Sequence, residues 1–328
     1  MPGSCAIGID IGGTYTKAGL VAKDGTVSGL VRFPTASHVD PGEYLNRLRT
    51  LVSDWSEEHP VGIGLSLPGF HAANGRSIQF NPNTPSLVGV DFASLFEASR
   101  LPVSIEQDLN TPALSEHSLG TGRGSKRFMA ATMGTGAGVG VILDGELLRF
   151  TGNCAGDTGH IILEPDGPAC QVGCHGCAEA LVTIPAVERE ARARLSQQAA
   201  LDPAGAFSSG DSVTAREVIE AARAGDPMSV DIMRLIGRRI GQWLACLAPI
   251  FLPDRIVLCG GIVEAGAPTL DACRERFLQL TAADYANCEI VLGRFRELAG
   301  IVGAAVPFLV DARGAAPASI FTISPPGC

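Results

Sequence analysis

The sequence has little positive charge and no long hydrophobic segment. Among its 328 residues, 25 are Lys or Arg and 34 are Asp or Glu, which gives a formal net charge of −9, and 18% of the residues are charged. Nucleic-acid-binding domains carry a basic patch or stripe, whereas the basic cluster here is the short run 123–127. The longest apolar run, 243–253, is about half of the ~20 residues that a helix needs to cross a bilayer. We therefore expect neither a nucleic-acid partner nor a membrane partner.

Signals for export and for disulfide bonding are also weak. No basic segment precedes the first apolar stretch, and Asp10 interrupts that stretch, so the sequence does not match a secretory signal peptide. Ten cysteines in a chain of this length are typical of reduced thiols or metal ligands, because disulfide frameworks belong mainly to small exported domains. The expected compartment is the cytoplasm.

The same order of elements occurs twice along the chain. Each copy has an apolar strand, a glycine turn, a second apolar strand and an Asp-Gly turn: 5–9, 12–14, 17–22 and 24–25, then 128–133, 134–138, 139–143 and 144–145. A repeat at this distance indicates two related domains rather than a solenoid. Strands alternate with helical patterns in both halves, which predicts an α/β fold. We expect an N-terminal lobe, 1–115, joined by a helix near 300–313, then a larger lobe, 116–299, and a loosely ordered tail, 314–328.

Three glycine turns follow apolar strands, at 12–14, 134–136 and 260–261. One such turn carries little information, because glycine is the default residue of tight turns. Three of them suggest anion sites, since the backbone N–H groups of glycine loops bind phosphate oxygens. Neither the P-loop pattern nor a strand-anchored G-x-G-x-x-G followed by an acidic residue is present, so a dinucleotide is disfavoured. Paired loops that bind phosphate alone point to phosphoryl transfer.

A carboxylate, Asp108, follows the predicted strand 103–106 close to the expected lobe boundary. A single Asp after a strand is more often the N-cap of the next helix. In the context of duplicated phosphate loops it fits another role, because kinases place a carboxylate where it accepts the proton of the attacking hydroxyl.

Five motifs, in this order and spacing, resemble those of the ROK family of bacterial sugar kinases and related repressors. They are Asp-Ile-Gly-Gly-Thr at 10–14, Gln-Asp-Leu-Asn at 107–110, Gly-Thr-Gly-Ala-Gly at 134–138, Gly-Asp-Thr-Gly-His at 156–160 and the Cys-rich stretch 170–179. The resemblance covers about residues 5–312. It implies a two-lobed actin/hexokinase-like fold, duplicated and ribonuclease H-like, with ATP and a sugar bound in the cleft between the lobes and usually a homodimer.

Two functions are compatible with this resemblance. The first is ATP-dependent phosphorylation of the 6-hydroxyl of glucose or a related hexose. The alternative is a non-catalytic sugar-sensing or repressor-type member of the family. A repressor needs a helix-turn-helix segment ahead of the first glycine loop, and nine residues precede Asp10, so we expect the kinase.

The resemblance also implies roles for individual residues. Asp108 matches the catalytic base, and Asp10 matches the residue that faces Mg²⁺ and the phosphates. The other nucleotide residues are Gly12, Gly13, Thr14, Gly134, Thr135, Gly136, Gly260 and Gly261. The sugar-binding residues, besides Asp108, are Gly69, Asn83, Gln107, Asp157, His160 and Glu179. Gln107 stands where the family usually has Asn, and Asp157 where it usually has Glu, so the identity of the sugar stays open.

A group of His and Cys residues between positions 160 and 177 predicts a metal site. This density is typical of tetrahedral zinc with nitrogen and sulfur ligands. In the family the ligands match His160 and positions 170, 172 and 177, but position 172 is Val here. Cys174 could supply the missing thiolate, which gives the set His160, Cys170, Cys174 and Cys177; the alternative is a reduced, free thiol. Such a zinc is structural, because four protein ligands leave no position for water.

Overall fold

The computed structural model describes residues 5–36, 40–150, 155–201, 213–285, 287–310 and 320–321. The chain forms two compact units: unit 1 is Met1–Ala130, Val139–Gly156 and Gly293–Cys328, and unit 2 is Ala131–Gly138 and Asp157–Leu292. These bounds differ from those of the predicted lobes, 1–115 and 116–299, which stay a prediction. The predicted tail, 314–328, lies outside the described residues except for Ile320–Phe321.

Strands and helices alternate along the described chain, as the sequence predicts. The strands are β1 (Cys5–Ile11), β2 (Tyr15–Ala22), β3 (Val27–Pro34), β4 (Ile63–Leu67), β5 (Phe70–His71), β6 (Ile78–Phe80), β7 (Val103–Gln107), β8 (Arg127–Met133), β9 (Ala137–Leu143), β10 (Glu146–Leu147), β11 (Arg255–Cys259), β12 (Glu289–Leu292) and β13 (Ile320–Phe321). The helices are α1 (Gly42–Asp54), α2 (Asn110–Ser118), α3 (Ala178–Val182), α4 (Ile184–Leu201), α5 (Ala215–Arg223), α6 (Pro227–Phe251), α7 (Ala267–Leu280) and α8 (Ala299–Leu309).

A six-stranded sheet in the order β13-β7-β4-β1-β2-β3 forms the centre of unit 1. β1 pairs in parallel with β4, and β4 with β7, whereas β2 is antiparallel to both β1 and β3. Every residue of β4 and β7 is buried, which is typical of parallel strands that are covered on both faces. Gly8 and Gly64 lie directly against the backbone of α8. The parallel strands therefore bring the ends of β1 and β7, with Asp10 and Asp108, to one edge of the sheet.

The second sheet has the order β10-β9-β8-β11-β12. β11 and β12 are parallel, and β9 and β10 are antiparallel. This arrangement has the same order as β3-β2-β1-β4-β7 in the first sheet, so the duplication predicted from the sequence is confirmed. Both sheets contain a glycine turn after their first strand, at 12–14 and at 134–136.

Two helices of unit 2, α5 and α6, begin with side chains that cap their first turns. α5 starts with a capping box, in which the Thr214 hydroxyl accepts from Glu217 N and the Glu217 carboxylate accepts from Thr214 N. α6 begins at Pro227, and the Asp226 carboxylate caps it by accepting from Ser229 N. Trp243, on α6, is fully buried. Among the described helices, none combines the length and the apolar character needed to cross a membrane.

Candidate active site

The first glycine turn joins β1 to β2 in unit 1. Gly12 N donates to Tyr15 O at 3.0 Å and closes the turn, and Thr35 N donates to Thr14 O at 3.0 Å. A Cβ built on Gly13 would lie 3.1 Å from Cβ of Asn83. The structure therefore brings this expected phosphate loop next to a residue that the sequence predicts for the sugar.

Asp10, the second-last residue of β1, lies between Ser66 and Gly300, which contact its carboxyl group. Burial raises the pKa of its carboxyl group, while a hydrogen bond from Ser66 and the charge of Lys17 act in the opposite direction. On the other side, a Cβ built on Gly300, in the first turn of α8, would lie 2.5–2.8 Å from the carboxyl atoms of Asp10. Only glycine at position 300 leaves room for the carboxylate in this place.

Asp108 follows the last residue of β7 and continues its pairing with β4, because Asp108 N donates to Leu67 O at 3.0 Å. Burial, and then the charge of Asp10, raise the pKa of Asp108 to about 7. Two carboxylates thus influence each other at one edge of the sheet. A like-charged pair of this kind suits a site that receives a cation and a proton.

Gln107 lies beside Asp108 at the end of β7 and is 5% exposed. Its Oε1 atom is buried and has no hydrogen-bond partner among the described residues. Buried polar atoms are rarely left unpaired in native proteins. An acceptor of this kind fits a ligand hydroxyl, which is the role that the sequence predicts for Gln107.

The loop after β6 carries Asn83 and lies against Gly69, the other two sugar-binding residues predicted in unit 1. Asn81 is 4% exposed; its Nδ2 donates to Thr84 Oγ1 at 3.0 Å, and its Oδ1 accepts from Asn83 N at 2.9 Å. Gly69, with φ of +79°, lies against Phe80 and Asn81. Asn81 therefore sets the conformation of the loop, and Asn83, Gly69 and Gly13 lie close together.

The other two glycine turns lie in unit 2. Gly134 N donates to Gly136 O at 2.9 Å, and Gly134 O accepts from Ile184 N at 2.8 Å, so α4 begins at this turn. Gly260 has φ of +93°, and a Cβ there would overlap the backbone of Met133. Gly260 and Gly261 therefore lie beside the turn at 134–136, as expected for two parts of one nucleotide site.

Three further predicted sugar-binding residues lie together in unit 2. The Nε2 atom of His160 is 3.7 Å from Oδ1 of Asp157. A Cβ built on Gly136 would lie 3.0 Å from Oε2 of Glu179, which belongs to the first turn of α3. Burial raises the pKa of Glu179, against the charge of His160, which lowers it. The second glycine turn and this group of polar side chains are therefore adjacent.

The predicted metal ligands converge in unit 2. The ligand atoms of His160, Cys170, Cys174 and Cys177 all lie within 4.8 Å of one another. Cys174 Sγ is 3.1 Å from Cys170 Sγ and 3.3 Å from His160 Nδ1. Val172, in the position of the missing cysteine, is 51% exposed. Cys174 thus lies in the cluster with the other three predicted ligands, whereas position 172 offers no thiol.

The thiol chemistry of this cluster fits a divalent cation. Burial opposes ionisation of Cys170, but hydrogen bonds from Cys174 and the backbone lower its pKa to about 7. Burial and the neighbouring Cys170 raise the pKa of Cys174 to about 12. A second negative charge is therefore unfavourable in the metal-free cluster, and Zn²⁺ would supply the missing positive charge.

Several residues around these groups were not found by sequence reasoning. Ser66 donates a hydrogen bond to Asp10, and Gly300 leaves room for the Asp10 carboxylate. In unit 2, Trp243 Nε1 donates to Thr158 O at 2.8 Å. The Thr158 hydroxyl is buried and has no partner among the described residues. Ser66 carries a usable signal, because it lies near the end of the apolar segment 61–67, and parallel strands present the side chains at their ends together. Gly300 and Trp243 carry none, since their roles depend on tertiary packing.

A comparison with known families decides the relationship. A family model described as the ROK family matches residues 6–310. The chain belongs to the ROK family. Among its ROK relatives, the glucokinase of Thermotoga maritima is 31% identical over 310 residues, which are 93% of this chain and 97% of the relative. The DNA-binding transcriptional dual regulator NagC of Escherichia coli is 25% identical over 236 residues, 70% of this chain and 54% of the regulator.

Solved ROK structures have the same fold. The ROK family glucokinase of Streptomyces griseus, in complex with glucose and AMPPNP, is 31% identical and superposes with a TM-score of 0.80, covering 92% of this chain and 98% of its own. The ROK hexokinase of Thermus thermophilus is 30% identical, with a TM-score of 0.70 and coverage of 92% and 97%. The predicted two-lobed actin/hexokinase-like fold is therefore confirmed.

Proposed function

We propose that this ROK-family sugar kinase transfers the γ-phosphoryl group of ATP to the 6-hydroxyl of a glucose-type hexose. One observation carries the proposal: the parallel pairing of β1, β4 and β7 in unit 1 places Asp10 and Asp108 at one edge of the sheet, and the adjacent Gly13 lies against Asn83. A cation-facing carboxylate, a base, a phosphate loop and a sugar-binding residue are the parts that this transfer needs.

Asp108 acts as the general base. The sugar hydroxyl gives its proton to the Asp108 carboxylate while the hydroxyl oxygen forms a bond to the γ-phosphorus of ATP. The bond between that phosphorus and the bridging oxygen breaks, and ADP leaves with the electron pair. A pKa of about 7 suits this role, because about half of the carboxyl groups are then ionised near pH 7 and the ionised form is basic enough to accept a proton.

Asp10 and the first glycine turn bind the complex of Mg²⁺ with ATP. The donor set fits Mg²⁺, which prefers carboxylate oxygen, water and phosphate oxygen as ligands. When bound there, Mg²⁺ would neutralise part of the charge on the phosphates. Gly12, Gly13 and Thr14 form the loop that lines the phosphate chain. The N–H group of Gly12 closes this loop on Tyr15 O, the glycines let the phosphates approach the backbone closely, and Thr14 adds a hydroxyl. Gly134, Thr135 and Gly136 form the second phosphate loop, and Gly260 and Gly261 line the adenosine.

The sugar is recognised by fixed polar groups. The residues that the resemblance implies for this role are Gly69, Asn83 and Gln107 in unit 1, and Asp157, His160 and Glu179 in unit 2. Such groups discriminate strongly between sugars, because a missing hydroxyl leaves a buried polar atom unpaired. Gln107, with its unpaired Oε1, and Asp157, one methylene shorter than the usual Glu, are the residues that we expect to set the preference.

A structural Zn²⁺ bound by His160, Cys170, Cys174 and Cys177 supports this recognition. Its role is to fix the loop that carries His160 close to Glu179. We also expect a homodimer, which the family resemblance implies, and a cytoplasmic location, on the sequence argument given above.

A coupled assay with ATP, Mg²⁺ and a panel of hexoses tests the function. We expect ADP release with glucose or a close relative, and a rate about 10²- to 10⁴-fold lower for Asp108→Asn, which is the range typical of a general base. Asp91→Asn changes an exposed carboxylate of unit 1 and is the matched control. Absence of transfer to every sugar, with sugar binding retained, would favour the sensor function instead.

A further inference from the structure

A buried ion pair lies directly beside the base. Glu106 is the second-last residue of β7 and is 3% exposed. Its Oε2 accepts from Nε of Arg149 at 3.0 Å and from Nη2 at 2.7 Å. Arg149 follows β10 by two residues, and its side chain is 18% exposed. Both residues belong to unit 1, and the two N–H groups of Arg149 converge on a single oxygen of Glu106.

The other oxygen of Glu106 binds the turn that carries Asp108. Oε1 accepts from Gln107 N at 3.0 Å and from Asn110 Nδ2 at 2.8 Å. Asn110 is the first residue of α2 and is fully buried. The carboxylate of Glu106 therefore accepts hydrogen bonds from Gln107, just before Asp108, and from Asn110, two residues after it. Arg149 in turn fixes the position of that carboxylate.

Stability alone does not explain such a pair. The cost of removing two charges from water often cancels their attraction, so a buried ion pair is weak evidence for stabilisation. Its geometry is well defined, however, because the rigid guanidinium group fixes the direction of its N–H groups. The base needs this kind of support, since its own carboxylate has to stay available for the sugar hydroxyl.

We propose that Glu106 and Arg149 are positioning residues that set the orientation of the general base Asp108. The inference rests on the proposed kinase function. Glu106 and Arg149 touch neither substrate; they act through the β7–α2 turn. A displacement of the reacting group by about 1 Å costs on the order of 100-fold in rate, so loss of the pair should reduce turnover far more than nucleotide binding.

Three single variants test the inference: Arg149→Met, Glu106→Gln and Arg149→Lys. We expect kcat for sugar phosphorylation to fall roughly 10- to 100-fold in the first two, with KM for ATP within about twofold of the original protein. Arg149→Lys should recover part of the loss, because Lys keeps the charge but not the planar group. The stoichiometry of ATP binding to each variant normalises kcat to folded enzyme.

Arg76→Met is the matched control. Arg76 binds Asp91 in the same unit, with Nε 3.2 and 3.1 Å from the two carboxylate oxygens, but this pair is more exposed than Glu106 and Arg149. We expect its kcat to stay within about twofold of the original value. An equal loss in Arg76→Met would overturn the inference, because it would trace the effect to loss of any ion pair.

The double variant Glu106→Gln/Arg149→Met separates positioning from folding. It leaves no unpaired buried charge, so its melting temperature should recover relative to Arg149→Met, while kcat stays at least about tenfold low. A kcat within twofold of the original in folded Arg149→Met, or in the double variant, would overturn the inference and leave the kinase function intact. A complete lack of transfer by the original protein would instead contradict the kinase function and, with it, the inference.

Discussion

Among single residues, Asp108 has the ionisation that should govern the reaction rate. Its pKa is raised to about 7, first by burial and then by the charge of Asp10. The base works only when deprotonated, so kcat/KM for the sugar should fall about tenfold per pH unit below pH 7 and level off above it. The measurement is a pH profile from 5.5 to 8.5 with coupling enzymes in excess. A flat profile below pH 7 would contradict the assignment.

Gly300 is a second residue whose change should affect chemistry more than folding. A methyl group at this position would meet the carboxyl group of Asp10 at 2.5–2.8 Å. A carboxyl group at the end of a short side chain moves more easily than backbone, so Gly300→Ala should displace Asp10 at a modest cost in stability. We expect kcat to fall at least about tenfold while the melting temperature changes little.

Gly42→Ala is the matched control for Gly300→Ala. Gly42 is the first residue of α1, and a Cβ there would meet only Asp40, at the ordinary contact distance of 3.5–3.6 Å. Its kcat should be unchanged, since α1 carries none of the proposed site residues. A normal kcat in Gly300→Ala would show that Asp10 tolerates displacement and is not critical for the metal-nucleotide side.

Among the elements, α6 supports the segment that carries His160. Trp243 Nε1 donates to Thr158 O at 2.8 Å, Gln242 Nε2 to Leu163 O at 3.2 Å, and Arg239 Nε to Glu164 Oε1 at 3.0 Å. Three successive contacts of one helix thus fix residues 158–164. The position of His160 depends on a helix that lies about 80 residues away in sequence.

Trp243→Phe tests this support. The change keeps an aromatic ring but removes the donor to Thr158 O, so we expect a loss of about 1–3 kcal/mol in the free energy of unfolding. KM for the sugar should rise, with a smaller effect on KM for ATP. Urea unfolding and steady-state kinetics measure the two effects. Trp55→Phe, in unit 1, changes the other of the two tryptophans and should leave the sugar KM unaltered.

The loop 170–177 should lose its metal when Cys174 is changed. We expect about one zinc per chain in the purified protein, and zinc affinity more than about tenfold lower in Cys174→Ser, because Cys174 lies 3.1 Å from Cys170 Sγ and 3.3 Å from His160 Nδ1. Elemental analysis and competition with a chromogenic chelator measure this. Cys246→Ser, on an exposed part of α6, is the control. Full zinc retention in Cys174→Ser would contradict the ligand set.

Over the whole molecule, the sequence was most informative where function depends on local backbone pattern. The repeated strand, glycine turn and strand predict both sheets, and the fold follows because such units have few ways to bury their apolar faces. The role of Cys174 as a substitute ligand could also be predicted from the sequence, since Cys174 lies two residues from the position of the missing cysteine. Contacts between distant segments could not be predicted from the sequence. The ion pair of Glu106 with Arg149 and the contact of Gly300 with Asp10 form only when the sheet and α8 have packed.

Sugar binding should stabilise the entire chain against unfolding. A ligand that binds only the native state stabilises it, by about 2.7 kcal/mol at 100 times its dissociation constant. The sugar that supports turnover should therefore raise the melting temperature, and a similar rise should remain in Asp108→Asn, because Asn still offers hydrogen bonds to the hydroxyl but cannot take its proton. Asp91→Asn, with its exposed carboxylate changed, should respond as the original protein does. Loss of the rise in Asp108→Asn alone would mean that this carboxylate mainly holds the sugar, and the base would then have to be sought elsewhere.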